Sequence, residues 1–250
     1  FCTATALGEY NLVAGNQGIT GAARQAVSFD PETGLLRFFA EGFTVLDVYG
    51  PVQAFASTPL TRPDGPIQRP FEIVTVAEKA GPIKSGEGPT THADHAFADA
   101  PTYDVLLVPG GFGTRQAVNN APLLLALTAA SRRAAITTTV CTGSALLART
   151  GLMDGRPATS NKVAWDWVVQ QGPRVKWQRR ARWVDDGDLV TSSGVSAGID
   201  MALSVVARLQ GTAVGATARF SGGSGQAEAA AGKARAAGKD AGTLYRGAQG

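Results

Sequence analysis

Residues 134–147, AAITTTVCTGSALL, constrain the fold of this chain more than any other stretch. The apolar, β-branched run over 134–140 reads as a buried strand. It stops at Cys141. Thr142, Gly143 and Ser144 follow, and residues 145–149 have the composition of a helix. A strand that breaks into a helix at one nucleophilic side chain has the geometry of a nucleophile elbow. A thiol at that point faces the first N–H groups of the helix, whose partial positive charge favours thiolate and predicts a lowered pKa. The competing reading is a small buried cysteine without chemistry. The order of strand, break, small residues and helix weighs against it.

Around this unit the chain alternates between strand-like and helix-like segments. Residues 35–40 read as a first strand. Residues 48–57 read as a short helix with Pro51 near its start, where a missing N–H costs little. Residues 71–78 (FEIVTVAE) alternate as a second strand, residues 103–108 (YDVLLV) form a buried one, and residues 122–133 a helix with one apolar face. Residues 79–100 are turn-rich and predict a small hairpin or surface excursion. After the central unit come a helix over 163–171, a hairpin of 175–184 with 189–193 across Asp185-Asp186-Gly187-Asp188, and a helix over 198–209. Strands alternating with helices predict a parallel α/β sandwich. Residues 1–33 lack periodicity and read as an irregular N-terminal extension. Residues 221–250 are more than half Ala and Gly. They carry too little apolar surface to order themselves and read as a disordered tail. The folded domain is therefore expected over 34–220.

Two further elements point to the same place as Cys141. Pro109-Gly110-Gly111-Phe112-Gly113 follows a strand, as the central break does. Ligands of open parallel sheets bind outside the carboxyl ends of the strands, so both loops open onto one crevice. There Gly110 and Gly111 offer backbone N–H groups to an anionic intermediate, beside the N–H of Thr142. A plain turn or a nucleotide loop is the alternative. The stretch lacks the lysine of a P-loop and the spacing of a dinucleotide fingerprint. The third element is Leu46-Asp47-Val48-Tyr49-Gly50-Pro51. Locally, Asp47 reads as an N-cap. At the crevice it is a carboxyl within reach of Cys141, raised in pKa by burial and a thiolate neighbour and suited to general acid–base work.

Composition narrows the function classes. The 250 residues carry a formal net charge of +3, too mild to predict a nucleic-acid partner. Arg174, Lys176, Arg179, Arg180 and Arg182 cluster, but read as a solvated hairpin face rather than a nucleic-acid stripe. Cys2 and Cys141 are the only two cysteines, far apart in the chain. They make neither a disulfide framework nor a metal-ligand spacing, which favours a reducing compartment, and the expected location is cytoplasmic. No apolar run reaches the ~18–20 residues that span a bilayer, so no membrane partner is expected. His92 and His95 lie three apart in a polar stretch that does not read as helix, and no metal is expected there. No histidine flanks Cys141. The chemistry is expected to run on a cysteine and an aspartate, with no cofactor.

YDVLLVPGGFG (103–113), TTTVCTGSALLARTGLMDGRPATSNK (137–162) and RWVDDGDLVTSSGVSAGIDMAL (182–203), with LDVYGP (46–51), closely resemble the ThiJ/PfpI superfamily. That superfamily has the class I glutamine amidotransferase-like fold. The resemblance runs from about residue 35 to about residue 209. Cys141-Thr142-Gly143, with the upstream LD-x-x-GP, looks most like the isonitrile (isocyanide) hydratase branch. The resemblance implies a flavodoxin-like three-layer sandwich with a mostly parallel sheet, and a homodimer. It implies Cys141 as nucleophile, Asp47 as acid/base, Thr142 as a residue that positions substrate or water, and Gly110 and Gly111 as the loop facing the cysteine. The implied substrate is a small molecule, R–N≡C, attacked by thiolate and released as an N-substituted formamide.

The chain also departs from its relatives. PfpI-type proteases and chaperones carry a histidine directly after the cysteine, where this chain has Thr142, which speaks against protease activity. AraC-like regulators share CTG but append a helix-turn-helix domain, where this sequence has its Ala/Gly tail. Related hydratases often continue with Thr-Thr-His-Trp, where this chain has Thr159-Ser160-Asn161-Lys162. Two other functions stay open. One is a glyoxalase or deglycase acting on 2-oxoaldehydes, whose members usually place a glutamate and a histidine beside the cysteine. The other is a redox or ligand sensor in which Cys141 oxidises to a sulfenic or sulfinic acid.

Overall fold

The computed structural model describes residues 33–38, 40–57 and 71–210. The expected extension over 1–33 and tail over 221–250 lie, residue 33 apart, outside them. The elements run, in chain order, β1 (Thr33–Phe38), α1 (Val45–Ala56), β2 (Phe71–Ala77), β3 (Gly81–Lys84), β4 (Thr90–Ala93), β5 (His95–Ala96), a 3-10 turn (Phe97–Asp99), β6 (Val105–Val108), α2 (Thr114–Ala117), α3 (Ala121–Arg133), β7 (Ile136–Val140), α4 (Gly143–Arg149), β8 (Pro157–Ala158), α5 (Trp165–Gln171), β9 (Lys176–Trp177), β10 (Trp183–Asp185), β11 (Leu189–Ser192) and α6 (Val195–Gln210).

Seven strands form one sheet in the order β10-β11-β7-β6-β1-β2-β5. Every pair is parallel except β10–β11, which is antiparallel across the predicted hairpin turn. The mostly parallel α/β architecture read from the sequence is thus present. Strand β6 shows why. Its four residues are all apolar and buried. Leu106 and Val108 pack with Leu127 of α3, Leu146 of α4 and Val168 of α5. Val105 and Leu107 pack with Phe55 of α1 and Met201 and Val206 of α6. Successive side chains leave opposite faces of a strand, and helices cover both faces, so the strand must be apolar throughout. The chain steps from β1 to β2 on one side and returns to β6 on the other. The order therefore reverses at β1, and the crevice beyond the carboxyl ends of β1 and β6 is where such sheets hold ligands.

Several local expectations are corrected. Helix α1 begins at Val45, so Pro51 lies inside the helix rather than near its start. Lacking an N–H, Pro51 leaves the Asp47 carbonyl without its helical partner. The strand expected over 175–184 is broken in two. Its first part, β9, pairs in parallel with β8, and only β10 pairs with β11. The basic cluster is dispersed accordingly: Arg174 bridges Asp154, Arg182 bridges Asp200 and Arg179 stacks over Trp165. Helix α6 starts at Val195, three residues before its expected onset. The turn-rich segment holds the β3–β4 hairpin, and β5 adds an edge to β2. Among the described residues no helix is long and apolar enough to cross a membrane.

Candidate active site

Strand β7 ends at Val140, α4 begins at Gly143, and Cys141 sits between them with φ +57°. It is the only non-glycine residue among those described with a positive φ. A β-carbon in this left-handed region costs on the order of 1–2 kcal/mol, so the surroundings must hold it there. Three segments do. The Cys141 N–H donates to the Ser192 carbonyl of β11 at 3.1 Å. The Cys141 carbonyl accepts from the Ser160 hydroxyl at 2.9 Å and faces the Ser144 hydroxyl at 3.1 Å. The two serine oxygens lie 2.7 Å apart, and both side chains are fully buried.

The glycine loop approaches from β6. A β-carbon at Gly110 would lie 2.5 Å from the Thr142 nitrogen and 2.8 Å from Cβ of Cys141. One at Gly143 would lie 2.3 Å from the Val108 carbonyl oxygen. Only glycine permits this backbone approach. The loop's N–H groups, however, are already engaged. Gly110 donates to Asp47 Oδ2 at 3.1 Å, and Gly111 donates to Thr142 Oγ1 at 3.0 Å. In this arrangement the loop braces the carboxylate and the residue after the cysteine. The Thr142 hydroxyl is buried against this loop and also meets Thr114 Oγ1 at 3.0 Å. Its N–H is the group that reaches the thiol, and it favours thiolate.

Asp47 is not an N-cap. Thr44 holds the cap position of α1 without a side-chain bond, and the Val45 N–H is met instead by Glu87 Oε2 of the β3–β4 turn at 3.1 Å. Asp47 follows in the first turn of α1, with 0% of its surface exposed. Gly110 bonds one oxygen, while Oδ1 has no hydrogen bond of regular geometry. The Cys141 thiol and the Val195 N–H at the start of α6 also act on the carboxyl. Burial dominates and lifts the Asp47 pKa from 3.8 to about 7, with Glu87 adding to the rise.

The thiol departs from expectation in sign. Burial, and then the Asp47 charge, push Cys141 from 9.0 up to about 12, outweighing the N–H of Thr142 and the amide of Asn161. Burial thus holds both acids of the Cys141–Asp47 pair above their ordinary values. Cys141 lies between a strand and a helix as the sequence predicts, but the sequence cannot weigh a helix terminus against a buried carboxylate.

In the sequence Asn161 stands out only as a departure from relatives. Its Nδ2 donates to Cys141 Sγ at 3.2 Å, and its Oδ1 accepts from the Ala164 N–H at 2.8 Å. Gly194, with φ +149°, lies over both residues: a β-carbon there would be 3.5 Å from Asn161 Nδ2 and 3.8 Å from the sulfur. The signal for Asn161 was its place in a run of polar residues between two apolar segments. His92 lies on β4 and His95 on β5. Among the described residues no group of three or more His, Cys, Asp or Glu side chains is placed to hold a metal ion.

Fold and site together define an α/β protein with a half-buried cysteine beside a buried aspartate at the carboxyl ends of parallel strands. The family model that matches residues 35–208 is that of the DJ-1/PfpI family, and the chain belongs to it. An isonitrile hydratase of Pseudomonas putida is 31% identical over 166 residues, covering 66% of this chain and 67% of that protein. The HTH-type transcriptional regulator CdhR of Pseudomonas aeruginosa is 32% identical over 131 residues, 52% of this chain and 38% of the regulator. A ThiJ/PfpI family protein from Pseudomonas syringae has a similar crystal structure, with TM-score 0.67 and 30% identity, covering 76% of this chain and 74% of that one.

Proposed function

We propose that this protein is an isonitrile hydratase-like enzyme, a hydro-lyase that adds water to an isocyanide. The observation that carries the reading is the placement of the half-buried Cys141 thiol beside the fully buried Asp47 carboxyl, at the break between β7 and α4. The break at Cys141 then serves as a nucleophile elbow within a flavodoxin-like sandwich. Asp47 takes the thiol proton, and the sulfur attacks the terminal carbon of R–N≡C, forming the C–S bond. Asp47 returns that proton to the same carbon, giving the thioimidate R–N=CH–S–Cys141. A water then loses a proton to Asp47 and adds to the imidate carbon. Asp47 passes that proton to the nitrogen, the C–S bond breaks as the hydroxyl proton moves by way of Asp47 to sulfur, and R–NH–CHO leaves. The sum is one isocyanide plus one water giving one formamide, with both side chains restored. No cofactor takes part, and assembly as a homodimer belongs to the same reading.

The isonitrile hydratase similarity supports this assignment over a redox sensor or a 2-oxoaldehyde enzyme. Purified protein is incubated with aryl and alkyl isocyanides and formamide is followed. Wild type is expected to turn over. Cys141→Ala is expected to be inactive, and Asp47→Asn to lose about 10²–10⁴-fold, the usual worth of a placed acid–base group. No turnover by folded wild type across the panel overturns the proposal, and methylglyoxal is then the next substrate.

A further inference from the structure

Residues 159–162, Thr-Ser-Asn-Lys, do not belong to any regular element, yet three of the four are tied down. Thr159 donates its N–H to Thr191 Oγ1 at 2.8 Å and its hydroxyl to the Gln178 carbonyl at 2.8 Å. Ser160 holds the Cys141 carbonyl. Lys162 donates to Thr159 Oγ1 at 2.6 Å and to the Ala181 carbonyl at 2.8 Å. These bonds fasten the segment to β11, to the β7–α4 junction and to the 178–181 turn. Between the anchors stands Asn161. Its amide has a defined orientation, because the oxygen is occupied by the Ala164 N–H; the nitrogen is thereby aimed at the sulfur.

We propose that Asn161 is a positioning residue that aims the Cys141 sulfur and stabilises it as thiolate through a fixed, non-titrating amide donor. This rests on Cys141 acting as the nucleophile. The sulfur faces two polar influences of opposite sense. Asp47, from α1, opposes a second negative charge, with Glu87 of the β3–β4 turn behind it. The Thr142 N–H and the Asn161 amide favour that charge. When Asp47 takes the thiol proton, the carboxyl is neutral and only the two donors face the sulfur. A donor to a charged acceptor is stronger than one to a neutral group, so Asn161 acts on thiolate more than on thiol. An amide does not ionise near neutral pH. The reactivity profile therefore reports the Cys141–Asp47 pair alone.

A purely structural role for Asn161 would be to cap the turn through Ala164. Asn161→Asp separates the two roles: its carboxylate still accepts from Ala164 but offers nothing to sulfur. Asn161→Ala removes both bonds. The test is the rate of iodoacetamide alkylation at Cys141 against pH, read by peptide mass spectrometry in the full chain, with thermal unfolding followed in parallel. For Asn161→Ala the alkylation midpoint is expected to rise by about one pH unit, with roughly tenfold slower reaction at neutral pH. For Asn161→Asp the rise is expected to be larger, because a like charge replaces the donor, while the unfolding temperature stays near wild type. Profiles of both variants that superimpose on wild type overturn the proposal. So does a slowing in Asn161→Ala that Asn161→Asp restores, since that pattern belongs to the cap. The readout needs no isocyanide: if wild type fails to hydrate isocyanides while the alkylation shifts persist, the hydratase reading fails and the role of Asn161 stands.

Discussion

The two side chains at the centre of the candidate site, Cys141 and Asp47, are built in opposite ways. The backbone of Cys141 is held at both ends, its N–H by Ser192 and its carbonyl by Ser160 and Ser144. The side chain of Asp47 is fully buried, yet one of its oxygens lacks a regular hydrogen bond. The nucleophilic role proposed for Cys141 needs direction, and bonds to its backbone supply direction without consuming the sulfur. The acid–base role proposed for Asp47 needs a carboxyl that is poor at holding charge, and burial supplies that against the bonds from Gly110, Cys141 and Val195. One site thus combines a tightly bonded strand end with an under-solvated helix start.

The largest test of this contrast is the pH dependence of stability. A carboxyl whose folded pKa lies above its unfolded value favours the folded state when protonated, so its contribution is lost as pH rises. Wild type is expected to lose roughly 2–4 kcal/mol relative to Asp47→Asn between the ordinary carboxyl value of 3.8 and about 7, and to keep that deficit above. Urea unfolding of the two proteins across that range checks it; parallel curves break the idea that Asp47 is held under-solvated.

A smaller effect is expected on the other half of the contrast. Ser160→Ala leaves the Cys141 carbonyl to Ser144 alone. It should cost about 1–2 kcal/mol and slow Cys141 alkylation without moving its pH midpoint, because the backbone and not the charge is disturbed. A moved midpoint with unchanged stability would assign Ser160 to the electrostatics instead.

The smallest shift is expected at Glu87. Its charge helps to keep Asp47 protonated, so Glu87→Gln should lower the acidic limb of the activity profile by roughly a few tenths of a pH unit, and less at high salt. An upward shift contradicts the assigned sign.

Much of this was readable in the sequence because it is periodic or local. The apolar run of β6, the break after Val140 and the Asp-Asp-Gly-Asp turn each carry their signal within a few residues. What escaped is set by distance along the chain. Glu87 meets Val45 42 positions away. Asn161 meets Cys141 20 positions away. Neither contact leaves a pattern in the residues around it. The two-residue strands β8 and β9 are too short for alternation to show, so residues 175–184 read as one strand. The sign of the thiol shift depended on how deeply Asp47 is buried, a property of the assembled sheet and not of α1.

The bond from the Cys141 N–H to Ser192 also orders events during synthesis. The chain emerges from the ribosome N-terminus first, and β7 leaves long before β11. Until residue 192 is free to dock, nothing from that strand holds Cys141 in its left-handed backbone, and Val195 cannot reach Asp47. The nascent chain therefore carries an ordinary cysteine and an ordinary aspartate. Their arrangement is completed late, when the last strand of the sheet docks beside β7.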